Sequence, residues 1–153
     1  MNKPTNVGDS MVSDPITIES NVGLLDAQEI MRAWGMRHLP VVEGEKLVGV
    51  LSDRDIYRAI SLKKTNDLSV RDAMSEDPYV VQASETLATV AKAMAEHKFG
   101  CVVIEGSNKR VRGIFTTTDA LYILSQLLHD PDDGKFRVMK LDEYLNSYQK
   151  MAV

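Results

Sequence analysis

A seven-residue pattern occurs twice in this chain and constrains its fold more than any other feature. Gly49-Val50-Leu51-Ser52-Asp53-Arg54-Asp55 returns as Gly113-Ile114-Phe115-Thr116-Thr117-Thr118-Asp119. Each copy is a strand-like apolar run that reaches a glycine, two more apolar residues, a hydroxyl, two variable residues and an aspartate. A helical pattern follows each time. The repeat extends beyond the loop, as in architectures built by duplicating one supersecondary unit. Met11 with Pro15 returns as Met74 with Pro78, 63 residues on. Leu24, Ala27, Met31 and Trp34 fall at helical spacing, and Leu87, Val90, Met94 and His97 match them at the same offset. Ser20 or Asn21, and Ser84, stand where an N-cap belongs.

After each helix comes a pair of strands. His38-Leu39-Pro40-Val41-Val42-Glu43 aligns with Gly100-Cys101-Val102-Val103-Ile104-Glu105 at an offset of 62. A turn leads to strands at 47–51 and 111–115, and helices close the copies at 56–60 and 120–128. Each unit therefore reads strand, helix, strand, strand, helix, an α/β (α+β) unit. The polar stretch 61–69 reads as a linker. The expected organisation is a tail over 1–9, one unit over 10–62, a second over 63–128 and an extension over 129–153. Within the extension, Phe136, Met139, Leu141, Tyr144, Leu145 and Tyr148 suggest a strand or irregular stretch and then a terminal amphipathic helix.

Bulk properties exclude several function classes. With 153 residues, there is room for one cored domain or two small fused modules. A net charge of −4 offers no basic footprint for nucleic acid or anionic membrane. No apolar run approaches the roughly 18–20 residues of a membrane span. The polar start, Met1-Asn2-Lys3-Pro4, lacks an apolar signal core, so cytoplasm is the expectation. Cys101 is the single cysteine, which rules out an internal disulfide and a multi-cysteine zinc cage. Asp130, Asp132 and Asp133 invite a calcium reading, but an EF-hand loop needs Gly sixth and a carboxylate twelfth. Gly134 is fifth from Asp130 and Leu141 twelfth, so a solvated turn is expected.

The duplicated unit resembles the cystathionine-β-synthase (CBS) domain, and the two together resemble a CBS pair, or Bateman module. The residues that carry the resemblance are Met11 with Pro15, 38–42 and 49–55, then Met74 with Pro78, 100–104 and 113–119. The resemblance implies two units, each a small mixed sheet with helices packed on it, related by a pseudo-twofold axis, with a C-terminal helical extension. It further implies clefts between the units that bind adenine nucleotides (AMP, ADP or ATP) or other adenosyl ligands, no required cofactor, and a homodimer formed through helices. The response would pass to an effector protein or to a rearranged dimer. The alternative is a ligand-free interaction module. No phosphate-binding Gly-rich fingerprint and no nucleophile, base and orienter set is visible, so an enzyme is not expected.

By that resemblance, Asp55 and Asp119 accept hydrogen bonds from ribose hydroxyls, as a carboxylate suits a cis-diol. Ser52 and Thr116 would add a hydroxyl contact, and the helix N-terminus would favour a phosphate. The same residues also read as capping boxes, which hold a helix without any ligand; the two roles are compatible. Arg54 could fork onto a phosphate where Thr118 supplies only a neutral hydroxyl, so unequal sites are expected. The remaining cleft candidates are Thr17, His38, Leu39 and Pro40 in the first copy, and Val80, Gly100, Cys101 and Val102 in the second. Val41, Val42, Val103 and Ile104 read as core. Trp34 reads as core or subunit interface.

Overall fold

The helices form where apolar residues recur every three or four positions. Leu24, Ala27 and Met31 are buried on one face of α1 (Leu24–Trp34). Val90 and Met94 are buried in the same way on α3 (Leu87–His97), as a 3.6-residue period requires of a helix lying on a core. These contacts are read from a computed structural model that describes residues 6–64 and 67–128. The expected terminal helix, with Tyr144 and Tyr148, lies outside the described residues.

The helix starts differ from expectation. Gly23 is the N-cap of α1, and Thr86 that of α3, its hydroxyl accepting the Thr89 N–H at 3.1 Å. Ser20 is still in extended chain, because its N–H donates to the Val42 carbonyl at 3.1 Å. Its hydroxyl is buried and donates to Glu43 Oε1 at 2.9 Å. Asn21 and Ser84 are exposed.

In the first sheet β2 (Ile18–Glu19) runs parallel to β3 (His38–Glu43), which is antiparallel to β4 (Lys46–Ser52). In the second, β5 (Val80–Val81) runs parallel to β6 (Cys101–Glu105), which is antiparallel to β7 (Val111–Thr116). The helices α2 (Asp53–Lys63) and α4 (Thr117–Leu128) follow β4 and β7 directly. The second sheet has a fourth strand, and it comes from the first copy. β1 (Val12–Ser13) pairs antiparallel with β7, Val12 opposite Ile114 and Ser13 opposite Gly113. Reciprocally, Ser75 bridges Val50 of β4 through two hydrogen bonds of 2.9 and 3.0 Å.

The exchange reaches the cores. Val7 packs among Val90, Met94, Val102, Ile104 and Phe115 of the second unit, and Val70 among Leu24, Leu39, Leu51 and Ile56 of the first. Both valines have no exposed surface. Burying a valine stabilises by roughly 1.5–3 kcal/mol, so each unit lends the other a core residue from just ahead of its own first strand. Two glycines of the repeated pattern admit this crossing. A Cβ on Gly49 would lie 2.6 Å from the Ser75 carbonyl oxygen, and one on Gly113 would lie 2.4 Å from Met11 Sδ.

One alignment from the sequence is corrected by the pairing. His38 lies opposite Ser52 and Cys101 opposite Thr116, while Ile18 pairs with Val41 and Val81 with Ile104. The 63-residue offset therefore persists through β3 and β6, and the counterpart of His38 is Cys101, not Gly100; Gly100 matches Arg37. β3 and β6 are buried on both faces, so their sequences carry no apolar–polar alternation by which a one-residue slip would show.

Candidate functional site

Both repeated loops are capping boxes. Asp119 Oδ2 accepts the Thr116 N–H and the Thr116 hydroxyl, each at 2.7 Å, while the Asp119 N–H donates to Thr116 Oγ1 at 3.3 Å. Asp55 Oδ2 accepts the Ser52 N–H at 2.9 Å and its hydroxyl at 2.7 Å, and the Asp55 N–H donates to Ser52 Oγ at 3.1 Å. One carboxylate oxygen thus completes each cap. No hydrogen bond reaches the other oxygen, Oδ1, among the described residues.

The two aspartates differ in surroundings. Asp119 is only 5% exposed, and Asp55 is half-buried. Burial pushes the Asp119 pKa up, against the Thr116 hydrogen bonds that pull it down. Asp119 forms part of the lining of a cleft of about 470 Å³. Residues 12–16 and 34–38 of the first unit make its walls, and Ile114 with Thr116, Thr117, Thr118 and Asp119 of the second makes its floor. The exchanged strand β1 creates the cleft by carrying the first unit's chain alongside β7.

Of the candidates read from the sequence, His38, Thr116, Thr118 and Asp119 come together on this cleft. Ser52, Arg54 and Asp55 lie at the other loop, at the start of α2. Leu39, Pro40 and Val102 are buried in their sheets. Thr17 is exposed just ahead of β2. Val80 lines a second cavity of about 500 Å³, together with Tyr79 and Phe99. Cys101 is buried, and burial first, then the Asp55 charge, pushes its thiol up to about 12; it is a neutral, unreactive group at physiological pH. Gly100 faces the His38 ring, and a Cβ there would lie 2.6 Å from His38 Nε2.

Sequence reasoning missed Asp14, Ile16, Met36 and Ile114 on the cleft, and read Trp34 as core or subunit interface. Trp34 is 44% exposed and lines the cleft. Asp14 adopts a left-handed backbone at φ 48°, uncommon for a non-glycine residue. A usable signal was present in the Asp14-Pro15 pair, which the second copy repeats as Asp77-Pro78. At the positions equivalent to Ile16, Met36 and Trp34, the second unit carries Tyr79, Phe99 and His97. These three rings stack in series at 5.2 Å between centroids.

His38 sits where the two units meet. Burial lowers its pKa below 6.5, partly offset by the Asp53 and Asp55 carboxylates and reinforced by Arg37 and Arg54. A histidine with a depressed folded pKa takes up its proton more readily when unfolded. Stability is therefore expected to decline as pH falls below about 6.5 and through the folded pKa. Melting temperatures of the wild type and His38→Gln between pH 7.5 and 5.5 check this: the wild type should lose more over the interval, and parallel curves would refute it.

The CBS domain family model matches residues 7–62 and 70–126. Among solved structures, the CBS domain pair of protein MJ0100 in complex with 5′-methylthioadenosine and S-adenosyl-L-methionine is 27% identical, with a TM-score of 0.74, covering 80% of this chain and 98% of that one. CBSX2 in complex with AMP is also 27% identical, with a TM-score of 0.71, covering 81% and 98%. Among curated relatives, an inosine-5′-monophosphate dehydrogenase of Korarchaeum cryptofilum is 31% identical over 84% of this chain, which spans only 26% of that enzyme's length. The uncharacterized protein YlbB of Bacillus subtilis is 34% identical, over 75% of this chain and 79% of its own length.

Proposed function

Since the chain belongs to the CBS domain family and carries that domain twice, we propose that it is a regulatory module that binds an adenosyl ligand in the Asp119 cleft. The observation that carries this reading is one carboxylate in two roles. Asp119 Oδ2 closes the cap of α4, and Oδ1 is left to accept ribose hydroxyls inside a cleft large enough for a nucleoside. The relatives solved with AMP, 5′-methylthioadenosine and S-adenosyl-L-methionine support the ligand class.

A ligand here would touch residues 12–16 and 34–38 of one unit and the Asp119 loop of the other. It would therefore favour the arrangement of units that closes the cleft, which is differential affinity between two states. The signal would pass to an effector protein or to a second copy of the chain. Tyr57 and Leu62 on α2, with Leu121, Leu124 and Leu128 on α4, are exposed apolar side chains that suit a homodimer formed through helices. Those same faces favour the second reading, a ligand-free interaction module. This chain spans only 26% of the dehydrogenase's length, and no reaction is proposed here.

Thermal denaturation with AMP, ADP, ATP, 5′-methylthioadenosine and S-adenosyl-L-methionine separates the readings. A ligand at about 100 times its Kd stabilises the native state by about 2.7 kcal/mol, which raises the Tm of a chain this size by roughly 5–10 °C. No shift with any of the five would leave the interaction module, and turnover of a ligand would make the protein an enzyme.

A further inference from the structure

We propose that the Asp119 cleft selects adenosyl ligands whose 5′ substituent is neutral or cationic, such as a thioether or sulfonium, over those that carry a phosphate chain. This inference rests on the adenosyl reading above and adds the charge class of the ligand.

The first argument is the charge inventory. Arg37 is the one permanently cationic side chain lining the cleft, and the same lining carries two carboxylates, Asp14 and Asp119. Burial keeps His38 neutral around pH 7. The lining is thus one charge negative, whereas each phosphate on a ligand adds roughly one to two more negative charges. Arg54, which could answer a phosphate, stands on the other loop; its counterpart here is Thr118.

The second argument concerns backbone donors. A helix N-terminus holds phosphate through free N–H groups, but here three of those at and beside the start of α4 are already committed. The Thr116 N–H donates to Asp119 Oδ2 at 2.7 Å, the Thr117 N–H to the Gly100 carbonyl at 3.1 Å, and the Asp119 N–H to Thr116 Oγ1 at 3.3 Å. The Asp119 carboxylate already occupies the place at the start of α4 that the helix dipole would offer an anion.

The third argument is the apolar wall. Trp34 presents a partly exposed indole to the cleft beside Met36 and Ile16. An indole face attracts a desolvated cation, sulfonium included, and tolerates a thioether, but gives an anion nothing. The two carboxylates and the indole together make a site that accepts positive charge.

The test uses the full chain in magnesium-free buffer at fixed ionic strength, with calorimetry and the fluorescence of Trp34, its single tryptophan. S-adenosylmethionine and 5′-methylthioadenosine are expected to bind at least about ten-fold more tightly than AMP or ATP. Asp14→Asn keeps a residue type tolerant of the left-handed backbone and removes one negative charge. It should narrow the ratio of S-adenosylmethionine to ATP affinity by about ten-fold while moving 5′-methylthioadenosine by less than about two-fold. AMP or ATP binding as tightly as 5′-methylthioadenosine would overturn the charge selection and leave the adenosyl site standing. Failure of all four ligands to bind would overturn both.

Discussion

Replacing Asp119 by alanine is expected to weaken adenosyl binding by about 100-fold without unfolding the protein. Hydrogen bonds to a charged group contribute about 1.5–3 kcal/mol each, and a ribose diol would place two on this carboxylate. The cap loses one partner, yet Thr116 Oγ1 still accepts the backbone N–H of residue 119. Burial raises the folded pKa of Asp119, so its ionisation opposes folding, and stability from this group is lost as pH rises through that value. Asp119→Asn keeps an acceptor for the cap and removes this loss. It should bind ligand about as poorly as the alanine variant while melting no lower than the wild type. Asp55→Ala, in the loop away from the cleft, should change affinity by less than about three-fold. Equal losses at Asp55 and Asp119 in a calorimetric titration would show that the cleft has been misassigned.

Gly49→Val is expected to destabilise the fold by about 3 kcal/mol, at the upper end of overpacking penalties, or roughly 10 °C in Tm. The obstacle is backbone: the Ser75 carbonyl oxygen would lie 2.6 Å from the new Cβ, and it is the acceptor of the Val50 N–H in the crossing between units. Gly113→Val meets the Met11 thioether first, at 2.4 Å, and the Val12 carbonyl only at 3.1 Å. A methionine side chain can swing aside, so that variant should lose less, about 1–2 kcal/mol. Chemical denaturation of both variants checks the order. Two equal and small losses would mean that the crossing strands can move apart freely, contrary to the packing seen here.

The two glycines also show how far the chain can be read before it is folded. Their recurrence four residues ahead of a hydroxyl-capped helix was plain in the sequence, and so was the capping box itself, because both are local in the chain. Helix positions were legible for the same reason: Leu24, Ala27 and Met31 declare a face by their spacing. What spacing could not show is why a glycine is needed. The residue that would collide with a side chain at position 49 is Ser75, from the next unit. The alignment of β3 with β6 slipped by one residue because strands buried on both faces lack alternation. That slip set Gly100 against His38, when its counterpart is Arg37.

The cleft follows the same division. Its floor, Thr116 through Asp119, could be named from the repeated pattern. Of its walls only His38 was named, since Asp14, Ile16, Trp34 and Met36 reach the Asp119 loop only because β1 leaves its own unit and pairs with β7. By itself the sequence determined a duplicated strand–helix unit, the two capped loops and the residues each unit contributes to its own core, all of which follow from local periodicity and short-range hydrogen bonding. Only the tertiary structure decided which unit each first strand joins, and therefore which aspartate becomes a buried carboxylate on a cleft. That choice rests on contacts between residues about a hundred positions apart, where pairing geometry and close packing, not local preference, select the partner.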